Sequence, residues 1–152
     1  MPVCRSFART RTALLVAAAA LCSLLLASCG LRGSRLRAEQ AVTEFHQRFN
    51  REQYDVIYER SDSSLKKTWT RADFAAYLGD IHSRLGNAGK AVARGFQVNA
   101  STGQGIEVAL AMETEFEHGT AEERFVWRIE DSRAVLLGYQ ADVKPSAGPR
   151  TV

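Results

Sequence analysis

From Ile106 to Glu117 the chain alternates. Ile106, Val108, Leu110, Met112, Thr114 and Phe116 share one parity, and Glu107, Ala109, Ala111, Glu113, Glu115 and Glu117 share the other. A period of two over this length describes a strand with one face buried and one wet. The same parity continues through Phe125, Trp127 and Ile129, then through Val135, Leu137, Tyr139, Ala141 and Val143. An earlier strand is expected over about 90–99, with Gly95 marking a bulge. His118-Gly119 suits a tight two-residue hairpin. That turn would set Phe116 opposite Ala121, Met112 opposite Phe125 and Leu110 opposite Trp127. On the wet face it pairs Glu113 with Arg124, which is favourable, and Glu115 with Glu122, which is not. The pattern leaves this register open.

Upstream the period is 3.6. Ala38, Val42, Phe45 and Phe49 fall at i, i+4, i+7 and i+11, the apolar stripe of an amphipathic helix that Asn50 ends. A short helical piece holds Tyr54, Ile57 and Tyr58, and another turn runs from Leu65 to Trp69 after the break at Ser61–Ser64. Thr70 with Asp73 reads as a capping pair. It opens a helix with Phe74, Tyr77, Leu78, Ile81 and Leu85 inside, stopped by Gly86-Asn87. A sheet with one apolar face must cover it, and the helices carry the only apolar stripes available. The expectation is an α+β domain: N-terminal helices packed on a curved four-stranded antiparallel meander in two layers.

The first residues have another character. Residues 1–12 carry Arg5, Arg9 and Arg11 and no acid, and residues 13–28 are almost wholly apolar. A basic start, a short apolar core and small residues at its end describe a secretory signal peptide. The run is shorter than the ~20 residues of a spanning helix. Leu26-Ala27-Ser28-Cys29 resembles the bacterial lipobox, in which the cysteine sulfur is diacylglycerylated and the signal is cut before it. The resemblance implies lipidation at Cys29 by fatty acids, palmitate among them, and membrane attachment through that residue. The alternative is an ordinary signal cut after Ala-Ser, which would leave Cys29 as a lone thiol in an oxidising compartment. Each buried acyl methylene contributes ~0.8 kcal/mol, and two anchoring signals suffice for stable attachment. By resemblance to Gram-negative lipoproteins, Gly30 rather than Asp after the cysteine implies the periplasmic face of the outer membrane.

Losing the signal also resets the charge. The whole chain has 20 basic and 17 acidic residues, and the two become equal once the three signal arginines leave. The basic pI therefore carries no implication of nucleic acid, and no basic face with interleaved aromatics follows. Cys4 and Cys22 leave too, so the mature part has no internal disulfide and no thiolate metal site. The expected organisation is a lipoprotein signal peptide at 1–28, lipidated Cys29 and tether at 29–37, the α+β domain at 38–144 and a flexible tail at 145–152. Arg32, Arg35 and Arg37 in the tether either meet anionic head groups, at ~1 kcal/mol each, or are incidental charges of a solvated linker.

Helices followed by a curled antiparallel sheet resemble the cone-shaped nuclear transport factor 2-like (cystatin-like) fold. More narrowly, the chain resembles small bacterial secreted proteins and lipoproteins of unknown function. The carrying residues are Tyr54-Asp55-Val56-Ile57-Tyr58, the serines from Ser61 to Ser64, Arg84-Leu85-Gly86, and Glu130-Asp131 leading to Leu136-Leu137-Gly138-Tyr139. Members often carry Trp just after the last turn, where this chain has Ala134-Val135. The resemblance implies a pocket between sheet and helices. Related enzymes, the ketosteroid isomerases among them, place an acid and a tyrosine there.

Pocket-lining candidates by parity are Tyr139, Trp127, Met112 and Phe125. None of the well-placed inward positions is an acid, and Glu123 is inward by parity but near a strand end. Tyr139 either donates into the pocket or satisfies its hydroxyl structurally. Arg94 shares parity with Val92, Phe96 and Val98 and would reach an anionic group inside, unless a bulge at Gly95 turns it outward. His46, His82 and His118 lie 36 residues apart, with no metal-ligand spacing. No serine has the context of a nucleophile. Glu113, Glu115, Glu117 and Glu122 form a solvated face or a patch for a cation or basic partner. No catalytic residue, metal ligand or cofactor is expected. The function expected is a lipid-anchored, non-enzymatic envelope domain that binds an envelope protein or a small ligand. The alternative is a pocket enzyme of isomerase or dehydratase type, which a buried acid would favour. A structural assembly partner would show a large exposed apolar patch.

Overall fold

The computed structural model describes residues 32–101, 105–130 and 133–145. The segment expected as a signal, Cys29, Gly30 and the residues after Pro145 lie outside the described residues. The architecture is the α+β one expected. Helix α1 covers residues 32–49, followed by α2 (Tyr54–Glu59), α3 (Ser63–Thr68) and α4 (Arg71–Leu85). Then come β1 (Ala88–Ser101), β2 (Gly105–Phe116), β3 (Gly119–Glu130) and β4 (Arg133–Pro145). The strands form one antiparallel sheet in chain order, β1-β2-β3-β4.

One apolar core joins the layers. Ala38, Val42, Phe45 and Phe49 of α1 and Phe74, Leu78, Ile81 and Leu85 of α4 are buried with Val108, Leu110, Phe125 and Trp127 of the sheet. Phe45 is the centre, with its ring 5.2 Å from Phe125 and 4.7 Å from Tyr139. Such aromatic contacts add about 0.5–1.5 kcal/mol beyond area burial.

The helix ends follow the expected chemistry. The Thr70 hydroxyl accepts from Asp73 N–H at 3.1 Å and donates to the Asp73 carboxylate at 2.6 Å. Asp62 caps α3, taking the Ser64 N–H at 2.8 Å, so Ser63 and Ser64 open a helix rather than only breaking one. Gly86 ends α4 at φ +76°, ψ −157°, outside the left-handed helical well but with a positive φ that favours glycine. A Cβ there would collide with the Glu117 side chain. The Asn50 side chain clamps the end of α1 to the start of β1, donating to Ala88 C=O and accepting from Ala88 N–H, both at 2.8 Å.

Three local expectations are corrected. Residues 32–37, expected as part of an extended tether, are helical. Ser34 there is buried, which extends the inward stripe of Ala38 and Val42 one turn toward the N-terminus. The β2–β3 hairpin turns at Glu117-His118, not His118-Gly119, because Phe116 pairs with Gly119. The register therefore moves by two residues: Met112 faces Glu123, Leu110 faces Phe125 and Glu113 faces Glu122. Tertiary contacts select this turn. His118 N–H donates to Leu85 C=O at 2.9 Å and Glu117 N–H to Asn87 C=O at 3.2 Å, satisfying carbonyls at the end of α4. On β1 the bulge expected at Gly95 is present: the ladder slips between Ala93 and Gly95, leaving Arg94 as the extra residue. On β4 it slips between the partners of Val126 and Trp127, so Leu136 rather than Leu137 points into the core.

Candidate functional site

The most unusual feature inside the domain is a carboxylate. Glu123 is 1% exposed, in the body of β3 rather than near its end. Its two oxygens are both engaged. Tyr139 O–H donates to Oε1 at 2.6 Å. Oε2 accepts from the Thr114 hydroxyl and lies 2.8 Å from His46 Nε2. With the proton on Nε2, three donors converge on one carboxyl group.

The fold builds this cluster simply. Glu123 faces Met112 on β2 and Ala141 on β4. Thr114 and Tyr139 therefore sit on its two diagonals, within reach of a longer side chain on the same face. His46 descends from α1, one helical turn past Val42, and packs edge-on against Phe125 at 5.9 Å. Burial holds the Tyr139 hydroxyl well above its ordinary pKa, and the Glu123 charge pushes it further in the same direction. Tyr139 is thus a donor throughout the physiological range. A buried polar group without partners would cost several kcal/mol, so the reciprocal satisfaction of this set is what permits it in an aromatic core.

Among the described residues, three clefts border the core. The first, about 710 Å³, has buried Phe45, Ile57, Trp127 and Leu136 beneath an exposed rim that includes Arg60 and Arg133. Those two arginines have no ion-pair partner among the described residues. The Trp127 indole N–H is buried and has no hydrogen-bond partner there either. Beside this cleft Arg128 reaches Asp62 at 2.8 Å and Glu107 at 3.7 Å. The Ser64 N–H above all, with the Arg128 charge contributing, holds the Asp62 carboxyl below its ordinary pKa. The second cleft, about 570 Å³, lies between α1 and β1 and is lined by His46, Val42, Met112 and the Arg35–Glu39 pair. The third, about 340 Å³, is bordered by Leu65, Trp69 and Tyr139.

The residues expected to line one pocket are thus divided. Trp127, Met112 and Tyr139 border three different clefts, and Phe125 is fully buried and borders none of them. Of the two placements open to Arg94, the structure has the outward one: it pairs with Glu113 at 2.9 Å on the wet face. Glu122 pairs there with Lys144, and Glu117 accepts from Asn87 at 2.9 and 3.1 Å.

The expectation of no well-placed inward acid is overturned by Glu123. The slipped hairpin register had placed it near a strand end. His46 was legible on the helix wheel, since Ala38, Val42 and His46 fall at i, i+4 and i+8. Among the described residues no cluster of His, Cys, Asp and Glu is arranged to hold a metal ion, and no helix is long and apolar enough to cross a membrane. No protein-family model matches the chain, and no curated protein does either.

Proposed function

We propose that this chain is a lipid-anchored cell-envelope protein, held by acylated Cys29, whose domain is a non-enzymatic binding module. Leu26-Ala27-Ser28-Cys29 after a signal-like run supports the anchor. The observation that carries the non-enzymatic reading is the state of Glu123. The one deeply buried acid among the described residues has both oxygens occupied by protein groups and borders none of the three clefts. A general base must reach a substrate proton, and this one is sealed. The first cleft supports binding of a small ligand with an apolar body and an anionic group, the body over Trp127 and the charge between Arg60 and Arg133.

The anchor is tested by Cys29→Ala, which should move the protein from the salt-washed membrane fraction to the soluble one. A variant that still sediments with membranes sinks the anchor. Native mass spectrometry of the detergent-extracted protein should show a bound anionic ligand that is lost in the Arg60→Glu/Arg133→Glu double variant. Unchanged ligand occupancy in that variant removes the first cleft as the site.

The second reading, a pocket enzyme of isomerase or dehydratase type, is favoured by one observation. His46 borders the second cleft while its Nε2 holds Glu123, so an orienting carboxylate stands behind an imidazole at a cleft wall. Turnover of any carbon acid that His46→Gln abolishes, in a protein of unchanged stability, would replace the first reading with this one.

A further inference from the structure

Large apolar side chains lie exposed where α1 runs beside β1. Leu36 is 59% exposed and Phe96 54%. Phe96 faces Leu110 across the ladder, so it stands on the sheet's inner face. What covers its ring is the Arg35 guanidinium, 4.4 Å from the centroid, which also holds Glu39 at 2.8 Å. Leu36 lies on the same helical stripe as Thr43, a residue of the second cleft's wall, seven positions on. Helix and strand therefore present Leu36 and Phe96 at one rim, with a cation set over the aromatic ring, whereas Val92, paired with Glu113, lies on the opposite, wet face.

We propose that this rim is a membrane-docking face, inserted at head-group depth in the same leaflet that holds the acyl chains; the proposal rests on the lipid-anchored reading of Cys29. Chain length carries the choice of occupant. Ser34, the first buried residue of α1, is five residues beyond Cys29, so the two Cα atoms are separated by at most about 18 Å. Leu36 follows two residues later. A domain tethered that closely meets the bilayer with whatever surrounds the start of α1, and here that surface sets exposed Leu36 and Phe96 among the arginines of the helix's first turns. A guanidinium over an aromatic ring suits the interface, since the ring enters the acyl boundary while the cation stays among the phosphates. A second copy of the chain is the less fitting occupant. β1 is an edge strand, but its ladder slips twice, at Ala88/Ala91 and at Ala93/Gly95, and bulges of this kind blunt strand addition.

The test uses the full-length acylated protein reconstituted in vesicles of phosphatidylethanolamine and phosphatidylglycerol. Leu36→Cys, Phe96→Cys and, as control, Gln140→Cys on the far edge strand β4 each receive a nitroxide label. The label at 36 and at 96 should show a severalfold higher ratio of oxygen to nickel-chelate accessibility than at 140. Ratios equal to the control, with the protein still floating on the vesicles, overturn the docking face and leave the anchor standing. Spin–spin broadening at 96 that vanishes on dilution with unlabelled protein assigns the face to a second copy and also overturns it. A protein that carries no fatty acid by mass spectrometry and does not float removes the anchor, and the docking face with it.

Discussion

Glu123 and Phe96 exchange the places their side chains would ordinarily take. The carboxylate is 1% exposed in the middle of an aromatic core, and the phenyl ring is 54% exposed on an edge strand. Their neighbourhoods explain the difference. Glu123 lies on an inner strand where α1, β2 and β4 each bring a polar hydrogen to it, so its charge is replaced in kind for the water it lost. Phe96 shares the same face of the sheet but lies on the edge strand β1, where the side chain over its ring is Arg35 from the start of α1. Burial in this fold follows the footprint of the helices on the sheet, and the residue type at each position accommodates that footprint.

If that account holds, the interior member of the pair should be costly to change and the exterior one nearly free. Glu123→Ala strands His46, Thr114 and Tyr139 in the core, and a loss of about 3–5 kcal/mol is expected in urea denaturation. A loss under 1 kcal/mol would mean water reaches the cluster, which would weaken the sealed-acid argument. Tyr139→Phe removes one donor to a charged group and should cost about 1.5–3 kcal/mol. Asp62→Ala removes the cap of α3 and the partner of Arg128, at about 1 kcal/mol. Because the Asp62 carboxyl is held below its ordinary pKa, its contribution is complete above about pH 4 and is lost as pH falls through the lower folded value. A wild-type denaturation midpoint should therefore drop faster on the acid side than that of Asp62→Ala, and parallel acid limbs would refute the assignment. Phe96→Ser should change stability by no more than about 0.5 kcal/mol. A larger loss would show the ring to be structural and would count against a docking role.

The layers and the strand parity were legible because they rest on periodicity. The alternation of Ile106–Phe116 and the stripe of Ala38, Val42, Phe45 and Phe49 survive intact in the structure. Register was not legible, and its failure was of a forgiving kind. A slip of two residues keeps every side chain on its own face, so Met112, Phe125 and Trp127 remained inward although each gained a different partner. The cause lay outside the strands, in backbone carbonyls at the end of α4 that no local pattern of β2 and β3 encodes. The buried cluster was missed for a related reason. Thr114, Glu123 and Tyr139 share inward parity on adjacent strands, and His46 shares the inward arc of α1. Only the observed register and the helix over the sheet bring the four together. Arg94 and Leu137 were displaced by single-residue bulges, of which only Gly95 left a mark in the sequence.

Strand order that repeats chain order also has a kinetic side. Each strand pairs with the next across a connection of two or three residues, so little loop entropy opposes the sheet as it zips outward from its hairpins. The bond between His46 and Glu123 joins positions 77 apart, and the Asn50–Ala88 clamp joins positions 38 apart. Seating α1 therefore closes long loops that the hairpins do not, and the N-terminal end of that helix is the one that leads back to the cysteine.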